Sequence, residues 1–183
     1  MTLRFAVAAD ASALAEIYNA IVQAPDITFT TEERSPGDMR AALADAAVQG
    51  WPWLVAERSG DVVGYATYKP FRSGPGYARC MEHSIHLAVG ARGAGLGRAL
   101  MDRLQEAALS RGVRVLVAGI SGANTTALSF HEALGFETVG RMPEVGEKHG
   151  HVFDLVLMQK SLDGAGEAVS SVVRPPDIPA RPG

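Results

Sequence analysis

Arg92-Gly93-Ala94-Gly95-Leu96-Gly97 follows an apolar run at residues 85–89 and leads into an amphipathic segment at residues 96–111. That order reads as strand, glycine-rich turn, helix. Glycines at alternate positions let the backbone pass close to a ligand, because no Cβ stands in the way. The helix that follows offers unpaired N–H groups and the positive end of its dipole, and both favour an anion. Arg92 adds a positive charge. The ligand group this predicts is a phosphate or pyrophosphate.

Spacing narrows the choice. A dinucleotide loop needs G-x-G-x-x-G, and both frames fail. Arg98 stands at the third-glycine position of one frame and Leu100 at that of the other. The G-x-x-x-x-G-K-[ST] loop of nucleoside triphosphatases is absent. What remains is R-x-x-G-x-G, which on its own also fits an ordinary glycine-rich turn between strand and helix.

A chain of 183 residues, 47% apolar, has material for one domain with a real core. We place that domain at residues 1–161 and a Pro/Gly/Ala-rich tail at residues 162–183, where Pro175-Pro176, Pro179 and Pro182 fall. A net charge of −3 gives no footprint for nucleic acid. No apolar run is long enough for a membrane span, and no signal peptide is expected. The single cysteine, Cys80, forms no intrachain disulfide and fits a reducing cytoplasm.

The body alternates between the two hydrophobic periods. Residues 3–8 read as a short strand, with Asp10 as N-cap of a helix carrying Leu14, Ile17, Tyr18, Ile21 and Val22 on one face. Ser35-Pro36 opens a second helix that ends near Gly50. Strands at 53–57 and 62–69 flank a hairpin turn, Arg58-Ser59-Gly60-Asp61. A strand at 81–89 precedes the glycine loop and its helix. Residues 113–120 form a near-continuous apolar strand, as expected where both sheet faces are covered. A helix at 124–134 ends at Gly135, and strands at 136–141 and 151–159 follow. Antiparallel strands first, then strand–helix–strand–helix–strand, make a mixed α/β domain.

Two stretches together resemble the Gcn5-related N-acetyltransferase superfamily. The glycine loop is similar to its acetyl-coenzyme A pyrophosphate loop. Asn124 followed by Ser129-Phe130-His131-Glu132-Ala133-Leu134-Gly135-Phe136 is similar to its closing motif, an asparagine and then [YH]-x-x-x-G-F. Gly64-Tyr65-Ala66-Thr67-Tyr68, Glu82-His83-Ser84, Gly140-Arg141-Met142-Pro143 and Asp154-Leu155-Val156-Leu157-Met158-Gln159 resemble the phosphinothricin / methionine sulfoximine acetyltransferase subfamily. The resemblance spans residues 2–160.

It implies a mixed, mostly antiparallel sheet flanked by helices, with acetyl-CoA as acetyl donor and no metal. It also implies a small-molecule amine as acceptor and a homodimer. Transfer requires an amine to lose a proton, attack a thioester carbonyl and expel a thiolate. The resemblance makes Glu82 the base, and burial beside Met81 and Ile85 is expected to raise its pKa. It makes His131, where many relatives carry tyrosine, the acid or polar anchor for the thiolate. Donor contacts are expected from Ile85, His86, Leu87, Arg92, Gly93, Ala94, Gly95, Leu96, Gly97, Arg98 and Asn124. Acceptor contacts are expected from Phe29, Phe71, Arg72, Ser73, Glu82, His83 and Ser84, with Arg72 gripping a carboxylate or phosphinate.

The chain departs from the subfamily most at Phe71-Arg72-Ser73-Gly74-Pro75, where a Trp-Asp-Arg-Pro-Phe-Glu run is expected, and at Phe29, where relatives carry tryptophan. These departures leave acetyl transfer intact and leave the acceptor open. Another amine, a peptide N-terminus, or acyl-CoA binding without catalysis are the competing readings. Cys80 as a nucleophile lacks an orienting third group. His83, His86, His149 and His151 lack metal-ligand spacing.

Overall fold

The computed structural model describes residues 1–162. Two strands, β2 (Trp53–Arg58) and β3 (Asp61–Pro70), turn at Ser59 and Gly60, whose φ values are 55° and 93°. Two successive positive φ angles match the right-handed twist of the strands they join. The remaining strands are β1 (Thr2–Phe5), β4 (Cys80–Leu87), β5 (Val115–Ser121), β6 (Glu137–Lys148) and β7 (His151–Ser161). They form one sheet in the order β1-β2-β3-β4-β5-β7-β6. Only β4 and β5 run parallel. The expected mixed, mostly antiparallel α/β fold is the one observed.

Side chains alternate across a strand, and the core divides accordingly. Leu54, Ala56, Ala66 and Tyr68 join α3 (Leu96–Leu109) in one cluster. Val55 and Tyr65, their neighbours in β2 and β3, join α1 (Ala11–Gln23) and α2 (Pro36–Gln49) in another. Two helices thus cover one face of the β1–β4 half, and α3 covers the other. In α3 the residues Leu96, Leu100, Met101, Leu104 and Ala108 are buried, and they form the apolar face of the amphipathic segment at residues 96–111. Truncating one of these leucines to alanine costs about 2–5 kcal/mol.

Helix ends follow local chemistry. Ser35 accepts from the Asp38 N–H while Asp38 reaches back to the Ser35 N–H, a reciprocal capping box with Pro36 at the first turn. Gly50 closes that helix in the left-handed region. Asn124 caps α4 (Thr125–Ala133) by accepting from the Ala127 N–H. At the other end Gly135 has φ 84°, and the Phe136 N–H bonds back to the His131 carbonyl at 3.0 Å. The His-x-x-x-Gly-Phe run is therefore a Schellman helix stop, with Phe136 folded against His131.

Three expectations change. Asp10 does not cap α1, because its carboxylate is taken by Arg4, at 2.7 and 2.9 Å, and by the Val7 N–H. Strand β6 runs on to Lys148, seven residues past its expected end, because it bulges between Met142 and Gly146 and then pairs with β7 again. Leu162, assigned to the tail, donates its N–H to the Arg114 carbonyl and packs against the core. The rest of the tail, residues 163–183, lies outside the described residues. No helix among the described residues is long and apolar enough to cross a membrane.

Candidate active site

The sheet opens where the glycine loop begins. β4 and β5 pair at Cys80–Val115, Met81–Leu116 and Glu82–Val117 and then part. Each keeps its outer partner, β4 with β3 as far as Leu87 and β5 with β7 as far as Ser121. The gap is a V with its apex at Glu82 and Val117. Beyond the apex, the edge of β4 that faces β5 has no strand to bond. An extended ligand with amide groups, such as a pantetheine arm, can take that place. Ile85 and Leu87 lie on this opened stretch.

The mouth of the V leads to the anion loop. Gly93 and Gly95 have φ values of 78° and 76°, and nothing stands within 4 Å of a Cβ built on either. The backbone conformation calls for glycine, and the open space over the loop leaves room for an approaching phosphate. The first helical bond of α3 is Ala99 N–H to the Gly95 carbonyl. The N–H groups of Leu96, Gly97 and Arg98 therefore have no intrahelical acceptor. A pyrophosphate fits this set. Gly97 has a second reason to be glycine: a Cβ would lie 3.1 Å from the Phe130 ring of α4. The side chain of Arg98 turns away from the loop and bonds the Ala133 carbonyl at 2.9 Å.

Glu82 points to the α1/α2 face, with Ser84 and His86 on the same side of β4. A cleft of about 300 Å³ opens there, lined by Tyr18, Arg34, Trp53, Tyr65, Thr67, Lys69, Glu82, Ser84 and His86 among others. Lys69 stands opposite Glu82 in the β3–β4 register, with Nζ 3.9 Å from its carboxylate. Met81 and Ile85 belong to the opposite cluster. They do not bury Glu82, contrary to expectation. The carboxylate instead faces Gly119 of β5, where a Cβ would lie 3.2 Å from Oε1. His86 sits between the rings of Tyr18 and Tyr65, at 6.2 and 5.1 Å. Burial first, and then the charge of Arg34, push its pKa down to about 4.

The acceptor residues expected from sequence scatter. Glu82 and Ser84 line the cleft. His83 points to the other face, where its Nε2 meets His131 Nε2 at 3.0 Å and its Nδ1 meets the Val117 carbonyl. The alternation of the strand turns it away from its neighbours. Phe29 stacks on Phe153 at 6.0 Å and covers Gly146, so it docks on β6 and β7. Phe71, Arg72 and Ser73 follow β3 and do not line the cleft. The Arg72 guanidinium lies 4.6 Å over the Phe71 ring in an exposed loop. His131 is buried, with Nδ1 on the Ala127 carbonyl at 2.7 Å, so neither ring nitrogen is unengaged. Burial pushes the Cys80 thiol up, away from the thiolate a nucleophile needs.

Three residues that the sequence reading passed over belong to this region: Gly119, Arg34 and Lys69. A lone glycine within an apolar strand is itself a signal of close approach, and Gly119 carried it. Neither Arg34 nor Lys69 stands in a motif.

Known proteins are similar to this chain in sequence and in fold. The sequence profile of the acetyltransferase (GNAT) family matches residues 14–136. L-amino acid N-acyltransferase MnaT of Escherichia coli is 40% identical over 164 residues, covering 89% of this chain and 95% of that protein. An L-methionine sulfoximine/L-methionine sulfone acetyltransferase of Salmonella typhimurium is 40% identical with the same coverage. The crystal structure of a phosphinothricin acetyltransferase from Sinorhizobium meliloti, in complex with acetyl-CoA, superposes with a TM-score of 0.85 at 36% identity. That superposition covers 96% of this chain and 93% of that one.

Proposed function

The chain belongs to the acetyltransferase (GNAT) family, with acetyl-CoA as its donor, and from that premise we propose that it acetylates the α-amine of a small amino-acid analogue of the methionine sulfoximine or phosphinothricin type by direct attack. The observation that carries this reading is the position of Glu82. It stands at the apex of the β4–β5 opening and inside an aromatic cleft, so one carboxylate meets both the donor path and the acceptor space.

Acetyl-CoA supplies an acetyl group activated as a thioester. The residues of this chain supply the rest. The N–H groups from Gly93 to Arg98, with Arg92, hold the pyrophosphate. The opened edge of β4 at residues 85–87 offers N–H groups to the donor's amides and to the developing oxyanion. Asn124, at the start of α4, adds a polar contact. Glu82 takes the ammonium proton, directly or through a water, and frees the lone pair for attack. Both ring nitrogens of His131 are engaged, by His83 and by the Ala127 carbonyl, so the departing thiolate takes its proton from water.

A thiol-release assay tests the reading. Methionine sulfoximine, methionine sulfone and phosphinothricin should each be tried against simple amines of equal length. Turnover of at least one amino-acid analogue is the expected result. Turnover of simple amines alone overturns the acceptor class and leaves the transfer chemistry standing. We further propose a homodimer working in the cytoplasm. Light scattering should give about twice the 19.3 kDa of one chain.

A further inference from the structure

We propose that Arg34 is the residue that selects the acceptor, by receiving the anionic group at the far end of its side chain. The proposal rests on reading the cleft as the acceptor site.

Arg34 lies just before α2, and its backbone is pinned to α1. The Asn19 amide donates to the Arg34 carbonyl at 3.0 Å and accepts from the Arg34 N–H at 2.9 Å. The following residue, Ser35, is fixed by its capping box. On this anchored backbone the guanidinium lies 4.8 Å over the Tyr18 ring and lines the cleft. Among the described residues no carboxylate lies within ion-pair distance of it. The nearby Asp38 is engaged by the N–H and hydroxyl of Ser35, at 2.8 and 2.7 Å. Asp45 lines the cleft from α2 without pairing to Arg34. The charge of Arg34 nonetheless reaches into the cleft, where it depresses His86 and opposes the rise at Tyr65.

The other cation of the cleft is already placed. Lys69 stands 3.9 Å from Glu82, at the end where the amine must lie. In any α-amino acid the carboxyl carbon is only about 2.5 Å from the amine nitrogen, so Lys69 is the cation that meets the α-carboxylate. Arg34 is on the His86 side. Glu82 and His86 are four residues apart on one strand, about 13 Å along it. Two long side chains shorten that span, but not to the width of an α-carbon. The geometry suits a side chain whose terminal group is anionic, such as a phosphinate or a distal carboxylate. The rings of Trp53 and Tyr65, stacked at 5.2 Å, give the intervening stem an apolar wall.

Steady-state kinetics of Arg34→Gln, Arg34→Lys and Arg72→Ala, each with phosphinothricin and with uncharged-side-chain methionine sulfone, test this. Arg34→Gln should raise KM for phosphinothricin about tenfold or more, with kcat within about twofold and methionine sulfone little affected. Arg34→Lys should recover part of the loss. Arg72→Ala should leave both substrates unchanged. Equal losses on both substrates would assign Arg34 to the α-carboxylate and overturn the proposal. Unchanged kinetics in Arg34→Gln would remove Arg34 and leave the acceptor class intact. If the wild-type protein acetylates methionine sulfone but no amino acid with an anionic side chain, Arg34's role falls and the acceptor class stands; if it acetylates no amino-acid analogue at all, both fall.

Discussion

His83 Nε2 stands 3.0 Å from His131 Nε2, while each ring sets its Nδ1 on a backbone carbonyl, Val117 for His83 and Ala127 for His131. A carbonyl only accepts, so both Nδ1 atoms need a hydrogen. Two neutral imidazoles hold just two hydrogens, and the contact between the rings then has none. A third proton would complete the set and leave a charge among Phe130, Phe136 and the core. Burial opposes that charge and pushes both rings below the ordinary histidine value, His83 to about 3.

The consequence for stability has a definite sign. A histidine depressed in the folded state binds fewer protons there than in the unfolded chain, whose value is 6.5. Its contribution is complete above that value and is lost as pH falls toward about 4 for His86 and about 3 for His83. The loss is at most about 1.4 kcal/mol per pH unit for each such ring. Urea unfolding between pH 7.5 and 4.5 should show a falling midpoint, and His83→Gln should flatten the slope. A midpoint independent of pH over this range would contradict the pair's neutrality.

Glu82→Gln should retain the fold and acetyl-CoA binding while turnover drops by roughly 10² or more, the usual worth of a positioned base. Gly119→Val asks the same question without touching the carboxylate. Its Cβ would lie 3.2 Å from Glu82 Oε1 and 3.5 Å from Leu155, and its methyl groups closer still. Circular dichroism should show an intact sheet, and kcat should fall about tenfold as the carboxylate is displaced. Wild-type turnover in Glu82→Gln would move the base elsewhere.

Gly95→Val should abolish acetyl-CoA binding measured by calorimetry. A valine at φ 76° strains the backbone, and its side chain fills the open space over the loop. Gly90→Ala, five residues earlier and also with nothing within 4 Å of a built Cβ, should bind normally. If Gly95→Val binds with unchanged affinity, the pyrophosphate lies elsewhere.

Motif chemistry was readable where it is backbone chemistry. The glycine loop, the Ser35 and Asn124 caps and the Gly135 stop depend on residues within a few positions of one another, and all four form as their sequences suggest. Which side chains reach the cleft follows strand parity. Glu82 and Ser84 share a face, whereas His83 between them turns to the other, as alternation requires. Arg72 and Phe29 sit in loops whose direction no local pattern encodes. Arg34 enters the cleft only because Asn19, fifteen residues away, holds its backbone.

Lys148 shows the same limit from the side of stability. No sequence motif marks it, yet it is 2% exposed, and its ammonium donates to the Val22 and Ala24 carbonyls at 2.5 and 2.6 Å. Those carbonyls end α1, where the helix leaves acceptors unpaired and carries a partial negative charge. The lysine therefore ties the far edge of the sheet to the helix that supplies Tyr18 and Asn19 to the cleft. Lys148→Met keeps most of the stem and removes the donor, stranding both carbonyls. The expected loss is about 2–4 kcal/mol, larger than for a surface lysine, because buried acceptors go unsatisfied. Chemical denaturation should show it as a lower midpoint. Turnover at low temperature, where the fold persists, should change less than about threefold, since the contact only anchors a wall of the cleft. A stability loss under about 0.5 kcal/mol would mean that water replaces the ammonium at no cost.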